Sequence, residues 1–142
     1  MKKILFAFTF VLTTLLISCK QEKKQDDKPT QMEQVMAIHD EVMPKMSTIN
    51  NLIQKLEPKI DTTQAGLKYE QAKKDLEGAH TFMMTWMQDF GGRFDSDEIM
   101  KGKELTDEKK KWLDEEEAKV KDLQNKINSS IKNAENLLNE NE

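Results

Sequence analysis

Cysteine is almost missing from this chain: one residue in 142, Cys19. A lone cysteine excludes an intrachain disulfide, so a folded domain must hold by packing alone. Glycine (five) and proline (three) are scarce too, and nothing forms a phosphate-cradling glycine loop. Histidine occurs twice, at His39 and His80. No HExxH motif and no serine in a glycine elbow is present, so nucleophilic and zinc-hydrolase chemistry is poorly supported. The expectation is a protein that is not an enzyme and carries no cofactor. Asp95, Asp97 and Glu98 lack the spacing and the glycine of an EF-hand, and read as a solvated acidic loop. Basic excess is absent as well: 22 basic against 26 acidic residues give a formal charge of −4. Nucleic acid is thereby disfavoured as a partner, because affinity for phosphate backbones comes largely from Lys and Arg.

What the chain does have begins at its start. Met1-Lys2-Lys3 is a short basic head, followed by the mostly apolar stretch Ile4 to Ile17. That is the layout of a secretory signal peptide and is short for a membrane span. The run ends in Leu16-Ile17-Ser18-Cys19, which resembles the bacterial lipobox, where a small residue precedes a cysteine that is lipidated and becomes the new N-terminus. The expectation is therefore a lipoprotein: signal peptide 1–18, lipidation at Cys19 with palmitate-type chains, and attachment to the inner or outer membrane of the cell envelope, facing the periplasm or the exterior. One acyl chain holds marginally and two or more hold firmly, at about 0.8 kcal/mol per buried methylene. Residues 19–30 then form a polar tether, with KQEKKQDDKPT after the cysteine. It has too little apolar surface to join a core.

From residue 31 onward the chain is mostly charged (34%) and apolar (37%), and the apolar residues are periodic. Met32, Val35, His39, Val42, Met46, Ile49, Ile53, Leu56 and Ile60 are spaced by threes and fours, the heptad pattern of a helix with one buried seam. Met36, Met43 and Leu52 widen it. Thr30 is the expected N-cap. Pro44 should kink the helix without breaking it, since the phase continues across it, and Pro58 should end it near Glu57. A turn with Asp61, Thr62 or Thr63 as cap leads to a second helix burying Tyr69, Ala72, Leu76, Ala79, His80, Met83, Met87 and Phe90, stopped by Gly91-Gly92. After a connection with one helical turn around Asp97 to Met100, Thr106 starts a third helix carrying Trp112, Leu113, Val120, Leu123, Ile127, Ile131, Ala134, Leu137 and Leu138. Glu116 and Ser130 interrupt its seam. The expected fold is all-α: an up-down-up antiparallel three-helix bundle with coiled-coil-like heptads over 31–142, with helices near 31–57, 63–90 and 106–139. A dimeric coiled coil is the alternative, so monomer and dimer both stay open.

Three stretches carry a family likeness: His39-Asp40-Glu41-Val42-Met43-Pro44-Lys45-Met46; Met83-Met84-Thr85-Trp86-Met87-Gln88-Asp89-Phe90; and the Glu117–Leu138 helix with its Ser129-Ser130-Ile131-Lys132-Asn133-Ala134-Glu135 segment. With the lipobox they resemble small lipoproteins of Bacteroidetes-type bacteria labelled "viral A-type inclusion protein". The likeness covers nearly all of 31–142, and HDEVMPKM is its most specific block. It implies a helical, lipid-anchored protein and assigns no reaction or ligand to any residue.

One constellation stands out chemically. Seven of the nine methionines lie in 32–46 or 83–87, beside the two histidines. Met36, His39 and Met43 share one helical face; His80, Met83 and Met87 share another. With the hairpin turn centred near residue 60, position 80 falls level with about 40, so both clusters meet at the end nearest the tether; a centre at 62 or 63 instead separates the two histidines by about five or six residues, roughly 8–9 Å of rise. Three readings are open. Methionine fills irregular core space beside a proline and packs on aromatic rings, with His39 bonded to the Asp40 carbonyl that Pro44 deprives of its donor. A methionine-rich groove receives a protein partner. Thioether and imidazole ligands hold Cu(I), a soft ion, as a metal-handling module would.

Overall fold

In the computed structural model residues 28–140 are described; the expected signal segment 1–18, the expected lipidation site Cys19 and most of the expected tether 19–30 lie outside them. The described chain is all-α. Five α-helices follow in order: α1 (Gln31–Val42), α2 (Lys45–Leu56), α3 (Gln64–Arg93), α4 (Ser96–Met100) and α5 (Asp107–Asn139), with a 3₁₀ turn at Glu57–Lys59.

Thr30 starts α1 through a reciprocal capping box: its hydroxyl accepts from the Glu33 N–H at 3.2 Å, and the Glu33 carboxylate accepts from the Thr30 N–H at 2.6 Å. Two backbone donors that no helix turn could satisfy are thus used. The first long helix is interrupted at Met43–Pro44, where the sequence suggests a mere kink. Both residues nonetheless keep helical angles (φ −56°, ψ −41° and φ −61°, ψ −23°). Proline removes one N–H from the ladder, and the next bond tightens, with the Met46 N–H donating to the Met43 carbonyl at 3.2 Å. The hydrogen-bonding breaks while the phase survives: Val42, Met46, Ile49, Leu52 and Leu56 are all buried.

At the following turn the Asp61 carboxylate accepts from the Thr63 N–H (2.9 Å) and hydroxyl (2.5 Å), and Thr63 caps α3 by accepting from the Gly66 N–H at 3.0 Å. A Cβ on buried Gly66 would come within 2.5 Å of the Asp61 backbone N and O. Glycine is required there by close approach. Gly91 and Gly92, expected to stop the helix at Phe90, lie inside it; α3 runs on to Arg93. The helix ends where Phe94 turns extended (φ −123°, ψ 136°) and is buried. Packing of Phe90 and Phe94 outweighs the low helix propensity of two glycines, about 1 kcal/mol each. The acidic loop is not simply solvated. The Asp95 carboxylate accepts from the Asp97 and Glu98 N–H groups (2.9 and 3.0 Å), and Glu98 accepts from the Asp95 N–H (2.8 Å), a second capping box that nucleates α4. Gly102, at φ +66°, supplies the left-handed residue after it.

Cross-helix pairs set the directions. Gln31 donates to Asp114 and Glu117, Gln124 to Glu41, and Lys45 to Asn128, so both partners advance together and α1–α2 runs parallel to α5. Arg93 pairs with Glu115, Lys126 covers Phe82 and the Tyr69 hydroxyl donates to the Leu137 carbonyl, so α3 runs antiparallel to α5. Lys73 pairs with Glu57 and Lys59 covers Tyr69, which makes α2 antiparallel to α3. A single apolar cluster joins all of them, from Met32 and Val35 through Leu76 and Met83 to Ile127 and Leu138. Among the described residues no helix is long and apolar enough to cross a membrane.

Candidate functional site

The side chains with the most chemistry gather at the end where Gln31 meets α5, the end at which the described residues begin. Helical spacing builds a column there. Trp86 and Phe90 stand four residues apart on the buried face of α3, and Phe94, the extended residue just past its end, adds a third ring to the column. Trp86 stacks on Phe90 (centroids 4.9 Å, 27° between planes), and Phe90 meets Phe94 at 4.9 Å and 44°. From α1, the His39 ring stacks on Trp86 at 5.7 Å and 28°. Each such pair contributes about 0.5–1.5 kcal/mol beyond its buried area for full aromatics.

His39 itself is 14% exposed, and its Nδ1–H donates to the Asp40 carboxylate at 2.9 Å. The expected partner was the Asp40 main-chain carbonyl; the side chain takes that role instead. A carboxylate accepts only, so this bond puts the proton on Nδ1 and the lone pair of the neutral ring on Nε2.

The stack selects the later of the two turn centres that the sequence allows. His39 lies level with Trp86, not with His80, because the turn occupies residues 60–63 and α3 starts only at Gln64. Six residues along α3 correspond to about 9 Å, so His80 sits well away from the level of His39. Of the methionines, Met83 is fully buried and belongs to the core; Met36 and Met43 are half-buried against it; Met87 is 38% exposed. Met84 (39%) and Met100 (75%) are also exposed, and Met100 with Ile99 borders an open groove of about 320 Å³ against Met36 and Ala37 of α1.

Two buried carboxylates complete this end, and neither was singled out from the sequence as a site. Glu116, fully buried on α5, receives Arg93 at 3.0 Å and Lys119 at 2.9 Å on one oxygen; the other has no hydrogen-bond partner. Arg93 also reaches Glu115 at 2.7 Å and lies over the Trp112 ring at 5.6 Å. The Glu115 hydrogen bond, with the charge of Glu116 beside it, holds the guanidinium above its ordinary pKa against the opposing effect of burial. Glu98, 4% exposed, is bound by Lys109 at 2.6 Å. That hydrogen bond and the Asp95 N–H hold its carboxyl below the usual range. The signal for the Glu116 pair was present: this is the one acid on the α5 seam near its start, and Arg93 is the only arginine among 22 basic residues. A guanidinium is the cation best suited to such a partly dry pair. These acids are matched by cations, and among the described residues no group of three or more His, Cys, Asp or Glu could hold a metal ion. Comparison with family models, with curated proteins and with solved structures finds no match to this chain.

Proposed function

We propose that this chain is a lipoprotein of the bacterial cell envelope, anchored through lipid on Cys19 and presenting an up-down-up three-helix bundle for a structural or protein-interaction role, without turnover. The observation that carries the reading is Leu16-Ile17-Ser18-Cys19 at the end of the apolar run, with Cys19 the only cysteine. The pairing directions support the bundle architecture, since α3 is antiparallel to both of its long neighbours. The place where the described chain begins fits as well. The described chain enters at Lys28 and is helical from Gln31, so the aromatic and methionine end of the domain is the end that leads back to the anchor. The exposed Met84, Met87 and Met100 are the apolar surface available to a partner there. Methionine adapts to irregular partner surfaces, as its unbranched thioether chain rotates freely.

The test is metabolic labelling with an alkynyl fatty acid in a bacterial host, followed by fractionation. The wild-type chain should incorporate label and pellet with membranes, and its mature N-terminus should be the modified Cys19. Cys19→Ala should do neither. Label retained in Cys19→Ala, or a mature chain beginning at another residue, would overturn the proposal.

A further inference from the structure

We propose that the outer face of α3 is a docking surface for a second copy of this chain, which lies antiparallel across it about a two-fold axis at Thr85. The dimer goes beyond a general interaction role by naming the partner, and it does not depend on lipid at Cys19. From Gly78 to Gln88 the sequence GAHTFMMTWMQ holds no Asp, Glu, Lys or Arg, although 34% of the chain is charged. It is the longest such run among the described residues. Gly78, Thr81, Thr85, Gln88 and Gly92 recur there by threes and fours and are all exposed, so α3 carries a second, uncharged seam opposite its core. Three glycines of this helix, Gly78, Gly91 and Gly92, face open space: a Cβ there would meet nothing within 4 Å. Each costs about 1 kcal/mol relative to alanine in a helix interior. No contact among the described residues asks for them, whereas close approach of a second backbone would.

The two flanks of the face identify the partner. Toward α5, Lys126 lies over the Phe82 ring at 5.2 Å and makes no ion pair among the described residues. Asp89, seven residues along α3 from Phe82 and so on the same flank, is exposed and likewise makes no ion pair or hydrogen bond among them. Arg93, whose charge it feels, is committed to Glu115 and Glu116. An antiparallel copy brings each Asp89 opposite the other's Phe82, hence beside its Lys126, when the axis falls midway, level with Thr85 and Trp86. The uncharged seam has the same centre: Gly78 then faces Gly92 of the second copy, Thr81 faces Gln88, and Thr85 faces itself. So does the flank away from α5, where Met84 and Met87, 39% and 38% exposed, meet across the axis. Every contact is made twice, as in an isologous homodimer. Glu77 and Lys74, which border the seam at its start, are already held by Lys73 (3.5 Å) and Glu70 (2.6 Å). With a formal charge of −4, the chain has to meet its own copy where acids are absent or answered by lysine, and this face meets that condition. Residues 78–92 make a contact about 21 Å long. With its flanks it stands at the lower end of specific interfaces, about 1,200 Å² in total, which suits a reversible dimer.

The experiment uses the full chain with Cys19→Ser in mild detergent, carrying one new cysteine. Thr85→Cys, on the axis, should form a disulfide-linked dimer under diamide. Leu67→Cys should not: it is 56% exposed on the same helix, but its two copies would lie about 50 Å apart. Added to Thr85→Cys, Asp89→Lys or Lys126→Glu should each lower the cross-linked fraction about tenfold, because each sets like charges against one another twice. An equimolar mixture of these two variants restores both ion pairs and should recover the parent's yield as the mixed dimer. Positions 85, 89 and 126 are exposed, so circular dichroism should show the parent's helix content throughout. Sedimentation equilibrium should give monomer–dimer exchange in roughly the micromolar range, weakened by either reversal. Equal cross-linking at Leu67 and Thr85, charge reversals without effect, or a monomer at every concentration would overturn the proposal. The last result would leave the methionine face to a different protein and the labelling at Cys19 untouched.

Discussion

Arg93 and Glu116 face each other across one ion pair of 3.0 Å, yet removing them should have opposite consequences. Glu116 is fully buried, and one carboxylate oxygen has no partner. A buried acceptor left unsatisfied costs about 1–3 kcal/mol. Its cations are less confined. Arg93 is 29% exposed and keeps Glu115 at 2.7 Å; Lys119 is 41% exposed and reaches water. Glu116→Met therefore removes a desolvated charge, roughly conserves volume and strands no ion, and should leave stability unchanged or raise it by about 1–4 kcal/mol. Arg93→Met does the reverse. It leaves the buried carboxylate with Lys119 alone and takes away the contact with Trp112. Stripping a buried ion of its only partner costs about 3–5 kcal/mol, and the remaining Lys119 should reduce this to roughly 2–3 kcal/mol. For a chain of this size that corresponds to a melting temperature about 5–10 °C lower. The double variant should melt within a few degrees of the parent. Circular dichroism melts of the four proteins decide the matter. If Glu116→Met falls as far as Arg93→Met, the pair is net stabilising and the reasoning from the orphaned oxygen fails.

Gly66→Ala should destabilise by roughly 1–3 kcal/mol, the usual cost of overpacking, because the new methyl meets the Asp61 backbone at 2.5 Å; an unchanged melt would show that the turn yields freely. Pro44→Ala should stabilise by about 1–2 kcal/mol, as the restored N–H reaches the Asp40 carbonyl and outweighs the added freedom of the unfolded chain; a lower melting temperature would mean that the interruption is needed for packing. Glu98, Asp95 and Glu117 are held below their ordinary pKa values chiefly by hydrogen bonds from Lys109, Lys103 and Lys121 respectively. A carboxyl lowered in the folded state contributes fully above its ordinary value and loses that contribution as pH falls through the lowered one. Melting temperature should thus be flat from neutrality down to about pH 5 and drop below the ordinary glutamate value of 4.5. Glu98→Gln should shallow that drop, and an acid limb identical to the parent's would remove Glu98 from the explanation.

Much of the fold was legible because the heptad phase is a local property that tertiary contacts reinforce. Thr30 and Thr106 were readable as caps from the residues beside them, and α5 begins one residue after the second of them. The errors came where a local rule was outweighed at longer range. Gly91-Gly92 has the composition of a stop signal, but the rings of Phe90 and Phe94 are buried on either side of it, and the helix continues while those rings need its register. Pro44 was read as a kink; the ladder opens there, although the buried positions on both sides keep one phase.

The candidate site was legible in composition and illegible in register. A shift of two or three residues in the turn centre moves the opposite helix by twice that amount, and such a shift separates a pair of facing histidines from a histidine facing a tryptophan. Nothing in the seam spacing decides between them, since seam residues recur by threes and fours on both helices. What decides is the turn itself: Asp61 braces Thr63, Thr63 caps α3 only at Gln64, and Gly66 lets the returning helix press against Asp61. Those contacts set where α3 starts and therefore which ring meets His39. The role of Asp40 follows from the same local accounting. Pro44 takes the donor from its main-chain carbonyl, but the carboxylate, 72% exposed, is free to swing to Nδ1 and does so. The feature that gives His39 a defined tautomer is thus a side chain adjacent in sequence, while the feature that orients its ring is a tryptophan set by a turn some twenty residues away. Changing the turn without touching His39, as Gly66→Ala would do, should for that reason disturb the His39–Trp86 stack as well as the melt.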